Sequence, residues 1–291
     1  MGISSPSAPA LVSEPAALRE LIARLRAEPV VALDTESNSF HVYRERVCLL
    51  QLSSRHADFV VDPLAVDPAP LAEVLCDGRE VVLHGADYDV RCLKREYGWR
   101  FPRLFDTMAA ARRLGRVGLS LSALVEGSFG QRLAKEHQRS DWGRRPLSDD
   151  QLRYAALDTH FLLDLHLELS GELARKGLLD EARREFDRIA AVEPRAKVFD
   201  PEGWRKLKGA RELAPEGKQV LRALYVAREE QASAADRPPF KVMAEAAMVE
   251  IARRLPRWPE EVARVPGVTP HVLRRMGAAI EAALRAVRAP G

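Results

Sequence analysis

Apolar residues recur at helical spacing between Glu14 and Glu28. Leu18, Leu21, Ile22 and Leu25 follow a Ser13 cap, which predicts a first helix that Pro29 stops. Val30 to Leu33 then form a short apolar run ending in Asp34-Thr35-Glu36, the pattern of a buried strand. Residues 46–53 and 57–61 read as two further strands joined by the turn-like Ser54-Arg55-His56, a hairpin following the first strand. Beyond them come a short helix at Leu71 to Cys76, a strand at Val81 to His84 and a helix from Gly85 to about Tyr97. Leu104 and Phe105 make a brief strand before helices at Asp106 to Leu114 and Leu119 to Glu126. Residues 148–176 carry one long helical pattern, with Ser148 as cap and Asp149 and Asp150 in its first turn.

Strands that pair as a hairpin, then strands alternating with helices, define an α/β domain with a mixed sheet. Strand signals vanish from about residue 180. Helical patterns recur at 180–191, 216–235, 242–255, 259–264 and 270–288. Pro194, Pro201 and Gly203 mark residues 193–212 as the linker. The expected organisation is an α/β domain over 13–192, the linker, and an all-α domain over 213–291. In the latter, Val220, Leu221, Leu224, Met243, Met248 and Ile251 read as core.

With 46% hydrophobic and 30% charged residues among 291, the chain has enough apolar material for folded domains and is not disordered. No apolar stretch approaches the ~18 residues that span a bilayer, so no membrane association is expected. Met1 to Ala10 lacks a basic start and an apolar run, and reads as a loose tail without a signal peptide. Cys48, Cys76 and Cys92 are odd in number and lie in apolar segments, which fits a reducing cytoplasm; no CxxC or Cys/His cluster suggests zinc. The net charge of +3 is unevenly shared: residues 1–195 carry −3 and residues 196–291 carry +6. A basic second domain fits a polyanionic partner, and it equally fits a soluble helical surface.

Three short motifs concentrate carboxylates. Asp34 and Glu36 lie at i and i+2 on a strand, hence on one face, within reach of a shared cation. His84-Gly85-Ala86-Asp87-Tyr88-Asp89 follows a strand and sets Asp89 on the first turns of a helix, where the dipole favours a carboxylate. Tyr154 and Asp158, at i and i+4, share one helix face, and Asp158 borders the apolar Leu157, Phe161 and Leu162.

Together the three motifs resemble the DEDD exonuclease superfamily. Tyr154 indicates the DEDDy branch; the histidine of the DEDDh branch would stand where this chain has Arg153. The segments "ALDTESNSF", "VCLLQLSS", "HGADYDVRCL", "FDTMAAARRL" and "DWGRRPLSDDQLRYAALDTHFLLDL" resemble ribonuclease D and its exosome-associated relatives over roughly residues 30–170. The resemblance implies a ribonuclease H-like mixed sheet. It also implies two divalent ions, Mg²⁺ or Mn²⁺, about 3.5–4 Å apart, as hard oxygen ligands favour. By resemblance Asp34 bridges both ions, Glu36 and Asp158 hold the ion that activates water, Asp89 supports the second, and Tyr154 orients the attacking water. Asp87 falls where relatives vary.

Supporting positions carry two readings each. Phe40 stacks on the terminal base or packs its loop. Arg144 and Arg145 contact phosphate or form a solvated turn. Asp106 is an N-cap rather than a ligand, and Gln51 is expected to satisfy backbone groups. In the basic half, "VLRALYVAREEQASAADRPPFKVM" and "VPGVTPHVLRRMGAAIEAAL" resemble an HRDC domain. Bacterial relatives mostly carry two such modules, and this chain has room for one. Lys206, Lys208, Arg211, Arg237 and Lys241 are its candidate phosphate contacts.

The resemblance therefore implies a metal-dependent 3′–5′ exoribonuclease, which is expected to be a monomer and, from its cysteines, cytoplasmic. Such an enzyme releases nucleoside 5′-monophosphates from RNA 3′ ends and trims tRNA or other structured precursors. A 3′–5′ DNA exonuclease and an inactive RNA-binding scaffold are the alternatives.

Overall fold

The computed structural model describes residues 8–133, 136–194 and 198–288. The chain divides into two compact units, one of Met1–Asn38 with Arg46–Arg195, the other of Ser39–Glu45 with Ala196–Gly291.

The first unit is built on a six-stranded mixed sheet of β1 (Ala10–Val12), β2 (Val30–Ser37), β3 (Val47–Ser53), β4 (Asp58–Val61), β5 (Glu80–Leu83) and β6 (Arg103–Asp106), in the order β1-β4-β3-β2-β5-β6. β2, β3 and β4 pair antiparallel; β5 adds parallel to β2, β6 to β5 and β1 to β4. Every residue of β3 is buried, as an apolar strand at the centre of a covered sheet requires. The short β1 takes in Ala10, the end of the expected loose tail; residues 1–7 of that tail lie outside the described residues. Three residues are too few for period-2 alternation to stand out, and edge pairing with β4 supplies the order.

Helices α1 (Pro15–Leu25), α2 (Ala72–Leu75), α3 (Asp87–Tyr97), α4 (Thr107–Arg113), α5 (Leu121–Phe129), α6 (Asp149–His160), α7 (Leu162–Arg175) and α8 (Leu179–Ala190) complete this unit. Ser13 does not cap α1: Glu14 occupies the N-cap without a side-chain bond, because Pro15, pre-set for the first helical position, starts the helix one residue later. The single helix expected over 148–176 is two. Phe161, 1% exposed and stacked on Phe129, ends α6 and opens α7. The break lets the end of α6 be tied to the sheet: the Thr159 hydroxyl is 2.7 Å from Ser53, and His160 Nδ1 is 2.7 Å from Asp58. Ser148 closes a full capping box with Gln151, as its sequence predicts.

The second unit contains α9 (Pro215–Ala234), α10 (Pro239–Val242), α11 (Glu245–Arg254), α12 (Pro259–Ala263) and α13 (Pro270–Ala286). Val220, Leu221, Leu224, Met243, Met248 and Ile251 are buried in its core as expected, joined by Val272, Met276 and Ile280. The helix expected at 242–255 starts at Glu245, because Met243 is extended. The expected linker is mostly part of this unit. Trp204, in the turn Gly203–Lys206, Ala210 and Leu213 bury against the same core; residues 195–197 lie outside the described ones. Proline and glycine there mark turns of a packed segment.

Residues 39–45, between β2 and β3, also belong to the second unit. The N–H groups of Tyr43 and Arg44 donate to Asp236, at 3.2 and 3.1 Å, and the Tyr43 hydroxyl donates to Glu229 at 2.6 Å. At the base of this excursion, the Arg46 N–H donates to the Asn38 side chain, 3.0 Å.

Candidate active site

Asp34 and Glu36 point to one face of β2, and Thr35 between them to the other. Thr35 uses that placement: its hydroxyl donates to Asp89, 2.5 Å away, and so ties the first turn of α3 to the strand. A second device fixes the same turn. Asp106 accepts from the N–H of Ala109, as the expected N-cap of α4, and also from Gly85 at 3.2 Å and Ala86 at 2.8 Å. Gly85 has φ +68°, and a β-carbon there would come within 3.0 Å of Met108, so this turn requires glycine.

Tyr154 and Asp158 stand one turn apart on α6. Tyr154 is held between two rings. Trp142, 1% exposed, stacks on it at 6.1 Å, and His137 meets it edge-on at 5.6 Å.

The four carboxylates act on one another. Burial, then Asp89, Asp158 and Glu36, hold the Asp34 carboxyl well above its ordinary range. Burial, followed by Asp158 and Asp89, lifts Glu36 to about 9. Burial raises Asp89 to about 6 against the opposing pull of the Thr35 hydrogen bond. Asp158 is raised to about 7, by burial and then by Asp89. Burial first, and then Asp158, Glu36 and Asp34, push the Tyr154 phenol above its usual value, so it stays protonated at neutral pH. The fold thus brings Asp34, Glu36, Asp89, Asp158 and Tyr154 into one electrostatic group.

Among the described residues, no Lys, Arg or His is named among the leading influences on these four carboxylates. Four clustered acids, Asp89 buried and the other three partly buried, with no counter-cation among their leading influences, fit divalent ions, and an all-oxygen donor set fits Mg²⁺ or Mn²⁺. Among the described residues, no three of the His, Cys, Asp and Glu side chains are already gathered as ligands of one ion.

The surrounding candidates fare differently. Arg145 is not available to a phosphate. Its Nε and Nη2 grip Asp62 at 2.5 and 2.7 Å, and its remaining N–H groups reach the carbonyls of Trp142, Arg144 and Cys48. Arg144 is exposed. Asp87 pairs with Arg91 at 2.8 Å, outside the group. Phe40 is 52% exposed, which leaves much of its ring open to a base. Lys206, Lys208, Arg211, Arg237 and Lys241 are exposed on the second unit; Lys206 is 3.2 Å from Asp200 and Lys241 is 3.3 Å from His41. Sequence reasoning missed Thr35 and gave Trp142 no role of its own. Thr35 was readable only as the odd residue of a DxE strand, and Trp142 as a buried aromatic near the Tyr154 helix.

The first unit is thus a mixed sheet that carries an acidic cluster at β2, α3 and α6. The 3′–5′ exonuclease family model matches residues 9–174, and the HRDC domain model matches residues 217–284. Ribonuclease D of Pseudomonas paraeruginosa is 34% identical over 273 residues, which span 91% of this chain and 71% of that protein. The exosome complex exonuclease RRP6 of Saccharomyces cerevisiae is 32% identical over 81% of this chain and 35% of its own length. Among solved structures, the catalytic core of RRP6 from Trypanosoma brucei superposes with a TM-score of 0.86 at 27% identity, covering 98% of this chain and 83% of that one. Escherichia coli RNase D, described as an exoribonuclease involved in structured RNA processing, gives 0.70 at 28% identity, over 97% and 76%. The chain belongs to the ribonuclease D family of 3′–5′ exonucleases.

Proposed function

We propose that the protein is a metal-dependent 3′–5′ exoribonuclease that releases nucleoside 5′-monophosphates from RNA 3′ ends, with tRNA or other structured precursors as substrates. The observation that carries this reading is the cluster of four mutually repelling carboxylates, with no Lys, Arg or His among the leading influences on them in the described residues. Asp34 would bridge two divalent ions, Glu36 and Asp158 would hold one, and Asp89 the other. Bound there, the ions supply an activated water and neutralise charge on the leaving 3′ oxygen.

The chain's own groups do the rest. The protonated Tyr154 phenol, clamped by Trp142, orients the attacking water by a hydrogen bond. Thr35 holds Asp89 in register with β2. Exposed Phe40, four residues beyond Glu36, offers a face on which the terminal base stacks. Arg144, Lys206, Lys208, Arg211, Arg237 and Lys241, all exposed, are the candidate phosphate contacts. RNA as the substrate class is supported by the names of the curated relatives, several of which are ribonuclease D proteins. The test is a degradation assay on matched RNA and DNA strands with Mg²⁺ or Mn²⁺. Stepwise release of 5′-monophosphates from RNA is expected, lost on chelation. Preferential digestion of DNA would replace the reading with that of a DNA exonuclease; no cleavage of either would leave a binding scaffold.

A further inference from the structure

Gln51 stands directly opposite Asp34 in the β2–β3 ladder. Residues so paired project to the same side of the sheet, with β-carbons about 4.5–5.5 Å apart. The side chain is fully buried, at 0% exposure, and neither its Nε2 nor its Oε1 has a hydrogen-bond partner among the described groups. It therefore does not satisfy backbone groups as its sequence setting suggested.

Its neighbours on the same side of the sheet define where the amide lies. Ser53, two residues along β3, is bound to Thr159 of α6. Leu49, two residues the other way, packs in a cluster with Val60, Trp142, Tyr154, Ala155 and Ala156. Val60 is also the residue opposite Gln51 on β4. The amide is thus enclosed between the strand that carries Asp34 and the helix that carries Asp158, with apolar side chains elsewhere around it.

A buried amide with nothing to bond to is a liability that leucine or methionine would avoid. Its placement beside a carboxylate supplies a reason for it. We propose that Gln51 is a positioning residue for the metal site: its Nε2 donates to the Asp34 carboxylate when divalent ions are bound, and fixes the orientation of that carboxylate. Partners of this kind, behind the ligands themselves, orient ligating carboxylates and tune ion affinity. The inference rests on the ion-binding reading above.

The test compares the full chain with Gln51→Met, which keeps the length of the side chain and removes its polar atoms. Mn²⁺ binding is followed by calorimetry and electron paramagnetic resonance, and Tm is measured in chelator. Without ions, the variant should melt at or above the wild-type Tm, since it loses no bond. Its Mn²⁺ affinity should fall about 10–100-fold. With RNA, kcat should drop while KM stays unchanged. Mn²⁺ affinity within twofold of wild type would overturn the proposal. A lowered Tm or an unfolded variant in chelator would also overturn it, because the amide would then be bonded in the ion-free fold. A wild-type protein that binds Mn²⁺ no better than Asp34→Asn would instead remove the ion-binding reading itself.

Discussion

The Thr35 hydroxyl lies 2.5 Å from the Asp89 carboxylate and joins β2 to α3 between the two strand carboxylates, Asp34 and Glu36. Without this bond, Asp89 would lose the largest influence that opposes its upward shift. Thr35→Val keeps the shape of the side chain and should lower turnover about tenfold, the worth of one hydrogen bond to a charged group, about 1.5 kcal/mol. The acid limb of the pH–rate profile should move to higher pH, because Asp89 becomes harder to ionise. Thr35→Ser should restore both. A Val variant with the wild-type profile would show that the bond does not reach the chemistry.

Stability in chelator should fall as pH rises. Glu36 has an ordinary value of 4.5 and is lifted to about 9 in the fold. Between those values the folded chain holds a proton that the unfolded chain has released, so rising pH favours unfolding. Asp89 and Asp158, at about 6 and 7, add to the same slope. Calorimetry across pH 4.5 to 9 should find Tm declining in chelator and a shallower decline for Glu36→Gln. Saturating Mg²⁺ should also flatten it, as ions favour the ionised carboxylates. Parallel curves for wild type and Glu36→Gln would contradict the shift.

Adjacent arginines should separate stability from binding. Arg145 is bidentate to Asp62, which is 7% exposed, so Arg145→Ala should destabilise the first unit by about 3 kcal/mol by stranding a buried carboxylate. Arg144→Ala should leave Tm unchanged and weaken RNA binding, reducing the salt slope by about one. Denaturant melts and salt-dependent binding titrations of the two variants check this. A shared phenotype would mean that the two side chains are not partitioned in this way.

Much of the candidate site was legible because each motif is local. DxE on one strand face, an acid in a first helical turn and a Tyr-Asp pair one turn apart need no knowledge of the fold. The missed features are pairings across the chain. Thr35 with Asp89, Arg145 with Asp62 and Tyr43 with Glu229 join residues far apart in sequence, and residue type alone does not choose among such partners. The same holds for element boundaries. Leu157, Phe161 and Leu162 continue a helical pattern, but the helix breaks at Phe161, beside the ties of Thr159 and His160 to the sheet. Trp204 and Leu213 sit among linker-like residues and are drawn into a core by distant helices.

That packing sets where a truncation must fall. Cutting at residue 213 would leave Trp204 and Ala210 without their core, so the deletion should run over residues 198–291, which also removes the partners of Tyr43 and Arg44. This truncation should still trim short single-stranded RNA at high enzyme concentration. On structured RNA it should show a raised KM and a shallower salt dependence, since basic residues that hold phosphates are lost. Unchanged affinity and salt slope in a folded truncation would assign the helical unit a role other than RNA holding.

The most direct test of the acidic cluster is the rate of 5′-monophosphate release from a 3′-labelled RNA, measured with saturating Mg²⁺ or Mn²⁺ for wild type and Asp34→Asn. Asp34 is the carboxylate on which Asp89, Asp158 and Glu36 all act, and its loss should cost at least ~10²–10³ in rate with the fold intact by circular dichroism. Wild-type activity should vanish in chelator and return with added metal. Turnover by Asp34→Asn within a few-fold of wild type, or wild-type cleavage that survives chelation, would contradict the account.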